Sequence, residues 1–128
     1  MTWPENYRYT IEHLWVDAHG DAATIGITFH AQEKLGLIVY VELPKAGSRI
    51  EAGKSFGSVE SVSSIFHLYA PISGEIVEIN ETLASSPEKL NTDPHGAAWL
   101  MKLRIGKGVE SGNLLSVAEY QAYLGSES

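Results

Sequence analysis

The chain has 128 residues, enough for one domain with a modest core, and its 44% hydrophobic and 20% charged residues suit a folded soluble protein rather than a disordered one. Nine Lys and Arg against sixteen Asp and Glu leave a net charge of −7, which favours solubility and argues against a phosphate-backbone partner such as nucleic acid. With no cysteine, disulfides, thiolate nucleophiles and cysteine-held metals are excluded together, a usage compatible with a reducing compartment.

In chain order, "MTWPENYRYT" has neither the basic start nor the apolar stretch of a secretory leader, and no later run approaches membrane-spanning length. A cytoplasmic protein with no membrane contact is expected. Leu14–Ala18 and Ala23–Ile27 read as strands joined at Gly20–Asp21. Thr28 can cap a helix over "FHAQEKL", with Gly36 where a left-handed C-terminal residue is wanted. "LIVYVEL" alternates, with Leu37, Val39, Val41 and Leu43 on one face and Tyr40 and Glu42 on the other. After Pro44, Gly47 and Gly53, two apolar runs, Phe56–Val62 and Ile65–Ala70, flank Ser63–Ser64 and predict a hairpin that displays its tip. Pro71 and Gly74 precede a strand at Glu75–Asn80. Ser86–Pro87 offers a cap and a first-turn proline for a helix at "EKL". "WLMKLRI" sets Trp99, Met101, Leu103 and Ile105 opposite Lys102 and Arg104. Ser116 with Glu119 forms a capping box ahead of a closing helix, "SVAEYQAYL". Short strands at this spacing suggest a mainly β sandwich or barrel. No linker or low-complexity tract breaks the chain, so residues 1–128 are expected to form a single domain and a monomer.

The usual chemistries find little support. His13, His19, His30, His67 and His95 show no metal-ligand spacing, so no metal site is expected, and each reads as a surface or hydrogen-bonded histidine. Ser61, Ser63 and Ser64 lack the G-x-S-x-G elbow of a serine hydrolase. "GKSFGS" lacks phosphate-loop spacing and lies between strands. Trp3, Trp15 and Trp99 have no accompanying basic patch and read as core or core-edge residues. No catalytic residue is assigned, and the residues point to a binding or carrier module rather than an enzyme.

The order of the motifs is more specific. "EHLWV", "ATIGITFHAQEKLG", "VYVELPKAGSRIEAG", "FGSVESV", "LYAPISGEIVEIN" and "NTDPHGAAWLMKL" follow in the order and spacing of the glycine cleavage system H protein, and from about Tyr9 to Tyr123 the chain resembles that family. The resemblance implies a lipoyl/biotinyl-domain-like barrel-sandwich hybrid of two antiparallel sheets, with short helices and a C-terminal helix. It implies a non-catalytic carrier whose lipoate cofactor is attached to a hairpin-tip lysine by a lipoate ligase or lipoyl transferase. That arm moves an aminomethyl group from the decarboxylating P protein to the T protein and is reoxidised by the L protein. Tethering suits such a task because it makes successive encounters intramolecular.

The departures concern the same tip. The family pattern E-S-V-K places its lysine on Ser63, whose hydroxyl is not the amine an amide-forming ligase uses, so attachment is not expected here. Glu60, Ser61, Val62 and Ser64 are the expected recognition hairpin around it. Lys34, Lys45, Lys54, Lys89, Lys102 and Lys107 lie away from the tip. The resemblance implies acids at the positions of Leu14 and His67, both expected to line the arm's cleft, an acid at Leu37 and a tyrosine at His95. A cleft without those acids suits cargo other than an amine. It is similar to H-protein-like carriers of bacterial sulfur oxidation, which serve heterodisulfide-reductase-like complexes. A cofactor-free interaction module using the same hairpin is the remaining alternative.

Overall fold

The computed structural model describes residues 2–106 and 114–127. Among the described residues, nine strands and four helices run in the order β1 Arg8–Tyr9, β2 Leu14–His19, β3 Ala22–Ile27, α1 Phe29–Leu35, β4 Ile38–Glu42, β5 Arg49–Ile50, β6 Ser55–Ser61, β7 Ile65–Tyr69, β8 Gly74–Ile79, α2 Thr82–Ser85, α3 Lys89–Thr92, β9 Met101–Arg104 and α4 Val117–Glu127. They form a six-stranded sheet ordered β1-β2-β3-β9-β8-β5 and a three-stranded sheet ordered β4-β6-β7, and each of these neighbours pairs antiparallel.

The expected two-sheet architecture with short helices and a C-terminal helix is present, and its cause is the period-two alternation of the strands. Leu14 and Val16 on β2, Ile25 and Ile27 on β3, Met101 and Leu103 on β9, and Ile76 on β8 are buried in one cluster with Ile38, Val59 and Leu68 of the small sheet. A second, aromatic cluster lies outside this core. Trp15, on the opposite face of β2 from Leu14, packs there with Tyr9 and Tyr120, and its indole N–H donates to the Pro94 carbonyl at 2.9 Å. Tyr7 stacks on Trp15 at 4.5 Å between ring centroids.

Helix ends follow the sequence signals closely at two of three expected places. The Thr28 hydroxyl accepts from the Ala31 N–H at 3.2 Å, and Gly36 closes α1 with φ 77°. At α4 the capping box is reciprocal: the Ser116 N–H donates to the Glu119 carboxylate at 2.8 Å, and the Glu119 N–H donates to the Ser116 hydroxyl at 3.2 Å. The first of these bonds holds the exposed Glu119 carboxyl below its ordinary pKa. The Ser86–Pro87 expectation is corrected. The Ser86 N–H is spent closing α2 on the Thr82 carbonyl at 2.8 Å, and α3 starts later, from Glu88, with no side-chain cap.

The alternation expected for "LIVYVEL" holds at its end, where Val41 and Leu43 pack on the core and Tyr40 and Glu42 are exposed, and is corrected at its start. Ile38 is the buried residue and Leu37 and Val39 are exposed, because a bulge between Ile38 and Tyr40 inserts one residue against β6 and reverses the inward face along the strand. Trp99 and Leu100 precede β9 rather than opening it, and Lys102 places its ammonium 4.9 Å over the Trp99 ring.

His95 is 5% exposed and ties three segments together. Its Nδ1 lies 2.8 Å from the Thr2 carbonyl, its Nε2 accepts from the Phe29 N–H at 2.9 Å, and its own carbonyl accepts from the Tyr7 hydroxyl at 2.8 Å. Only the neutral ring with its proton on Nδ1 satisfies both nitrogens. Burial lowers its pKa against the opposing pull of the Thr2 carbonyl and Asp93.

Two measurements follow. A histidine whose folded pKa lies below its unfolded value leaves the unfolded chain holding more protons as pH falls through about 6.5. Stability is therefore fully present above that range and is lost on acidification towards the folded value. Urea unfolding between pH 7.5 and pH 5 is expected to give a flatter stability profile for His95→Gln than for the parent, and parallel profiles would contradict this. A Cβ added at Gly57 on β6 would collide with the Glu42 carbonyl oxygen of β4. Gly57→Ala is therefore expected to cost about 1–3 kcal/mol in urea unfolding, and an unchanged midpoint would show that β4 can move aside.

Candidate functional site

The β6–β7 hairpin carries the residues of the candidate site. Its rungs pair Ser58 with His67, Val59 with Phe66 and Glu60 with Ile65, while β4 on the other side sets Tyr40 against Glu60 and Glu42 against Ser58. Alternation turns Val59 and Leu68 into the core, and leaves Glu60, Ile65, His67 and Tyr69 on the outer face with Tyr40 and Glu42. No Lys or Arg lies on β4, β6 or β7, whose only carboxylates are Glu42 and Glu60.

Beyond the last rung the Ser61 N–H donates to the Ser64 carbonyl at 2.9 Å, leaving Val62 and Ser63 at the apex. The Ser61 hydroxyl accepts from the Ser64 N–H at 3.2 Å and the Ser63 N–H at 3.4 Å, and lies 3.3 Å from the Ser64 hydroxyl. The Val62 N–H reaches the Leu37 carbonyl at 3.2 Å, which ties the tip to the entry of β4. Val62 is 70% exposed, and Ser63 and Ser64 are exposed beside it. The Ser63 hydroxyl has no hydrogen-bond partner among the described residues.

Five of the residues singled out in the sequence thus come together. Ser63 is at the apex, Val62 and Ser64 flank it, Glu60 faces outward between Tyr40 and Ile65, and Ser61 turns inward opposite Ile38. The other two do not join them, and the shared cleft expected for Leu14 and His67 is corrected. Leu14 is 0% exposed within the sandwich core, where the inward face of β2 puts it, so it lines no open cleft. His67 lies on the outer face of β7, in a row with Ser58 and Glu42.

Three features were passed over in the sequence. One is what the hydroxyl of Ser61, a residue already singled out, does to the tip backbone, for which a serine two residues before Ser63 was the available signal. The second is an apolar ridge of Leu37, Val39, Tyr40, Val62, Ile65 and Tyr69, concealed by the bulge that turns β4. The third is a cleft of about 470 Å³ lined by Thr10, Ile11, Glu12, Gly53, Ala70 and Pro71. It opens at the base of the hairpin, a strand's length of roughly 20 Å from the apex.

An amide-linked arm requires an amine at the tip, and the residues present do not supply one. Lys54, just before β6, sits at the hairpin's base with its ammonium 2.8 Å from Glu51, a bond that raises the lysine pKa and lowers that of the carboxyl. Lys34 lies in the last turn of α1, Lys45 follows β4, Lys89 opens α3 and Lys102 lies on β9, while Lys107 falls outside the described residues.

Comparison with known proteins agrees with the fold. The profile of the family described as "Glycine cleavage H-protein" matches residues 7–127. Among curated proteins, the chain is 50% identical to a glycine cleavage system H protein of Acidobacterium capsulatum over 128 residues, covering 100% of this chain and 98% of that one. It is 49% identical to that of Rubrobacter xylanophilus over 124 residues, covering 97% of this chain and 96% of that one. Among solved structures, a crystal structure of a glycine cleavage system H protein from Mycobacterium marinum superposes with a TM-score of 0.89 at 40% identity, covering 96% of this chain and 99% of that one. With nearly its full length matched in sequence and in its barrel-sandwich fold, the chain belongs to the glycine cleavage H-protein family.

Proposed function

We propose that this chain is a lipoyl-carrier scaffold of the H-protein family that presents the β6–β7 hairpin to partner enzymes but, with Ser63 at the apex, does not accept the arm itself. The observation that carries the reading is the pairing of an intact, exposed tip with a hydroxyl where the family resemblance expects an amine. The partners are then the enzymes of glycine cleavage, the decarboxylating P protein, the T protein and the L protein, together with a lipoate ligase. No catalytic role is assigned to the chain, and its place is the cytoplasm with those enzymes. No described helix is long and apolar enough to cross a membrane.

A second reading, a cofactor-free docking module, draws support from the apolar ridge beside the tip, since exposed apolar patches on otherwise polar surfaces mark interaction sites. The sulfur-cargo alternative rested on Leu14 and His67 sharing a cleft, and with Leu14 in the core it loses that support.

The acceptor claim is checked by intact mass after incubation with lipoate ligase, lipoate and ATP. The chain as it stands is expected to keep its mass and Ser63→Lys to gain one lipoyl increment. An increment on the parent chain would sink the reading. The docking claim is checked in a glycine decarboxylation assay driven by an ordinary lipoylated H protein. The present chain is expected to compete, raising the apparent KM for the lipoylated protein while supporting no turnover alone. Absence of competition at large excess would mean that the hairpin is not recognised.

A further inference from the structure

We propose that Ser61 is the residue that presents position 63, acting as a positioning residue that fixes the tip's backbone so that the apex side chain is left free for whatever docks there. Its relevance to attachment rests on the reading of Ser63 given above, while its role in shaping the tip does not.

Two-residue hairpin loops ordinarily use primed turns, whose positive φ angles match the twist of the flanking strands and demand glycine or asparagine. Such a turn is a poor seat for a residue such as serine or lysine, whose Cβ crowds the backbone at positive φ. Among the described residues His13 is the sole non-glycine with positive φ, so neither Val62 nor Ser63 adopts the primed conformation. The tip is therefore denied the twist-matched turn and needs another source of order. Ser61 supplies it from below. The residue is 8% exposed, anchored opposite Ile38, and its hydroxyl gathers the Ser63 and Ser64 N–H groups while facing the Ser64 carbonyl at 3.4 Å. A serine that bonds to the backbone two and three residues ahead replaces a backbone turn with a side-chain one.

The apex side chain contributes nothing to this arrangement. The Ser63 side chain makes no hydrogen bond among the described residues, and its backbone N–H is held by Ser61. Serine or lysine can therefore occupy position 63 on the same turn, which separates the shape of the tip from the chemistry it carries.

Amide hydrogen exchange in the chain as it stands tests the first half. A lost hydrogen bond of this class is worth a few-fold to about tenfold in an equilibrium. Ser61→Ala is accordingly expected to speed exchange at Ser63 and Ser64 by up to about tenfold, leave Val59 in the ladder unchanged, and be reversed by Ser61→Thr. Ligase kinetics test the second half in a Ser63→Lys background. Adding Ser61→Ala is expected to lower kcat/KM for lipoylation by a similar factor, mainly through kcat, with Ser61→Thr restoring it. Unchanged exchange at Ser63 and Ser64, or undiminished lipoylation without the Ser61 hydroxyl, overturns the proposal. Failure of Ser63→Lys to gain an arm while Ser61 is intact would instead overturn the attachment reading, and the exchange result would still decide the role of Ser61.

Discussion

The burial of one face of a three-stranded sheet governs the rest of this molecule. Ile38, Val59 and Leu68 are buried in one cluster with Ile25, Ile76 and Leu103 of the larger sheet, and the rungs of β4, β6 and β7 that carry them cannot slip without moving every inward residue to the surface. Loss of a buried leucine or isoleucine side chain from such a layer costs about 2–5 kcal/mol, so the register is held by far more than any single surface contact. Locking that register fixes where the hairpin ends. The β6–β7 ladder stops at Glu60 and Ile65, Ser61 turns inward opposite Ile38, and the exposed Val62, Ser63 and Ser64 form the tip. A rigid base with a short exposed tip is what a module needs if several enzymes are to reach the same few atoms.

Much of this was legible in the residues because alternation and turn chemistry are local signals. The hairpin around Ser63, the Thr28 cap with Gly36, and the Ser116–Glu119 box all depend on neighbours within a few positions, and all took the form that their spacing implied. What escaped depended on partners far along the chain. The β4 bulge arises from pairing with β6, so Leu37 and Val39 read as core residues and emerged on the surface. The two-residue strands β1 and β5 exist only because β2 and β8 offer edges to pair with. His95 gave no sign of being buried, since its Thr2 and Phe29 partners come from distant segments.

The site divides in the same manner. Ser63 and its neighbours were identifiable because the family pattern runs straight through them. The cleft residues were not, because a cleft is made by elements that meet only in the fold. The resemblance puts Leu14 in the lining of the arm's cleft with His67, yet β2 turns it into the core, where a leucine is at home and a carboxylate would need a partner. Conversely, Glu12 lines a cleft at the hairpin's base without any local motif to mark it. Ser61 is intermediate: its identity was visible, but its work became clear only once its hydroxyl was seen to hold the backbone of the apex.

The account makes the chain an H-protein scaffold that keeps its presenting hairpin while lacking the amine that would carry the cofactor. The most direct trial is glycine decarboxylation by P protein supplied with this chain or with its Ser63→Lys variant after lipoylation. The account expects no decarboxylation above background with the parent chain and clear activity with the lipoylated variant. Decarboxylation supported by the parent, or a fully lipoylated variant that P protein ignores, would contradict it.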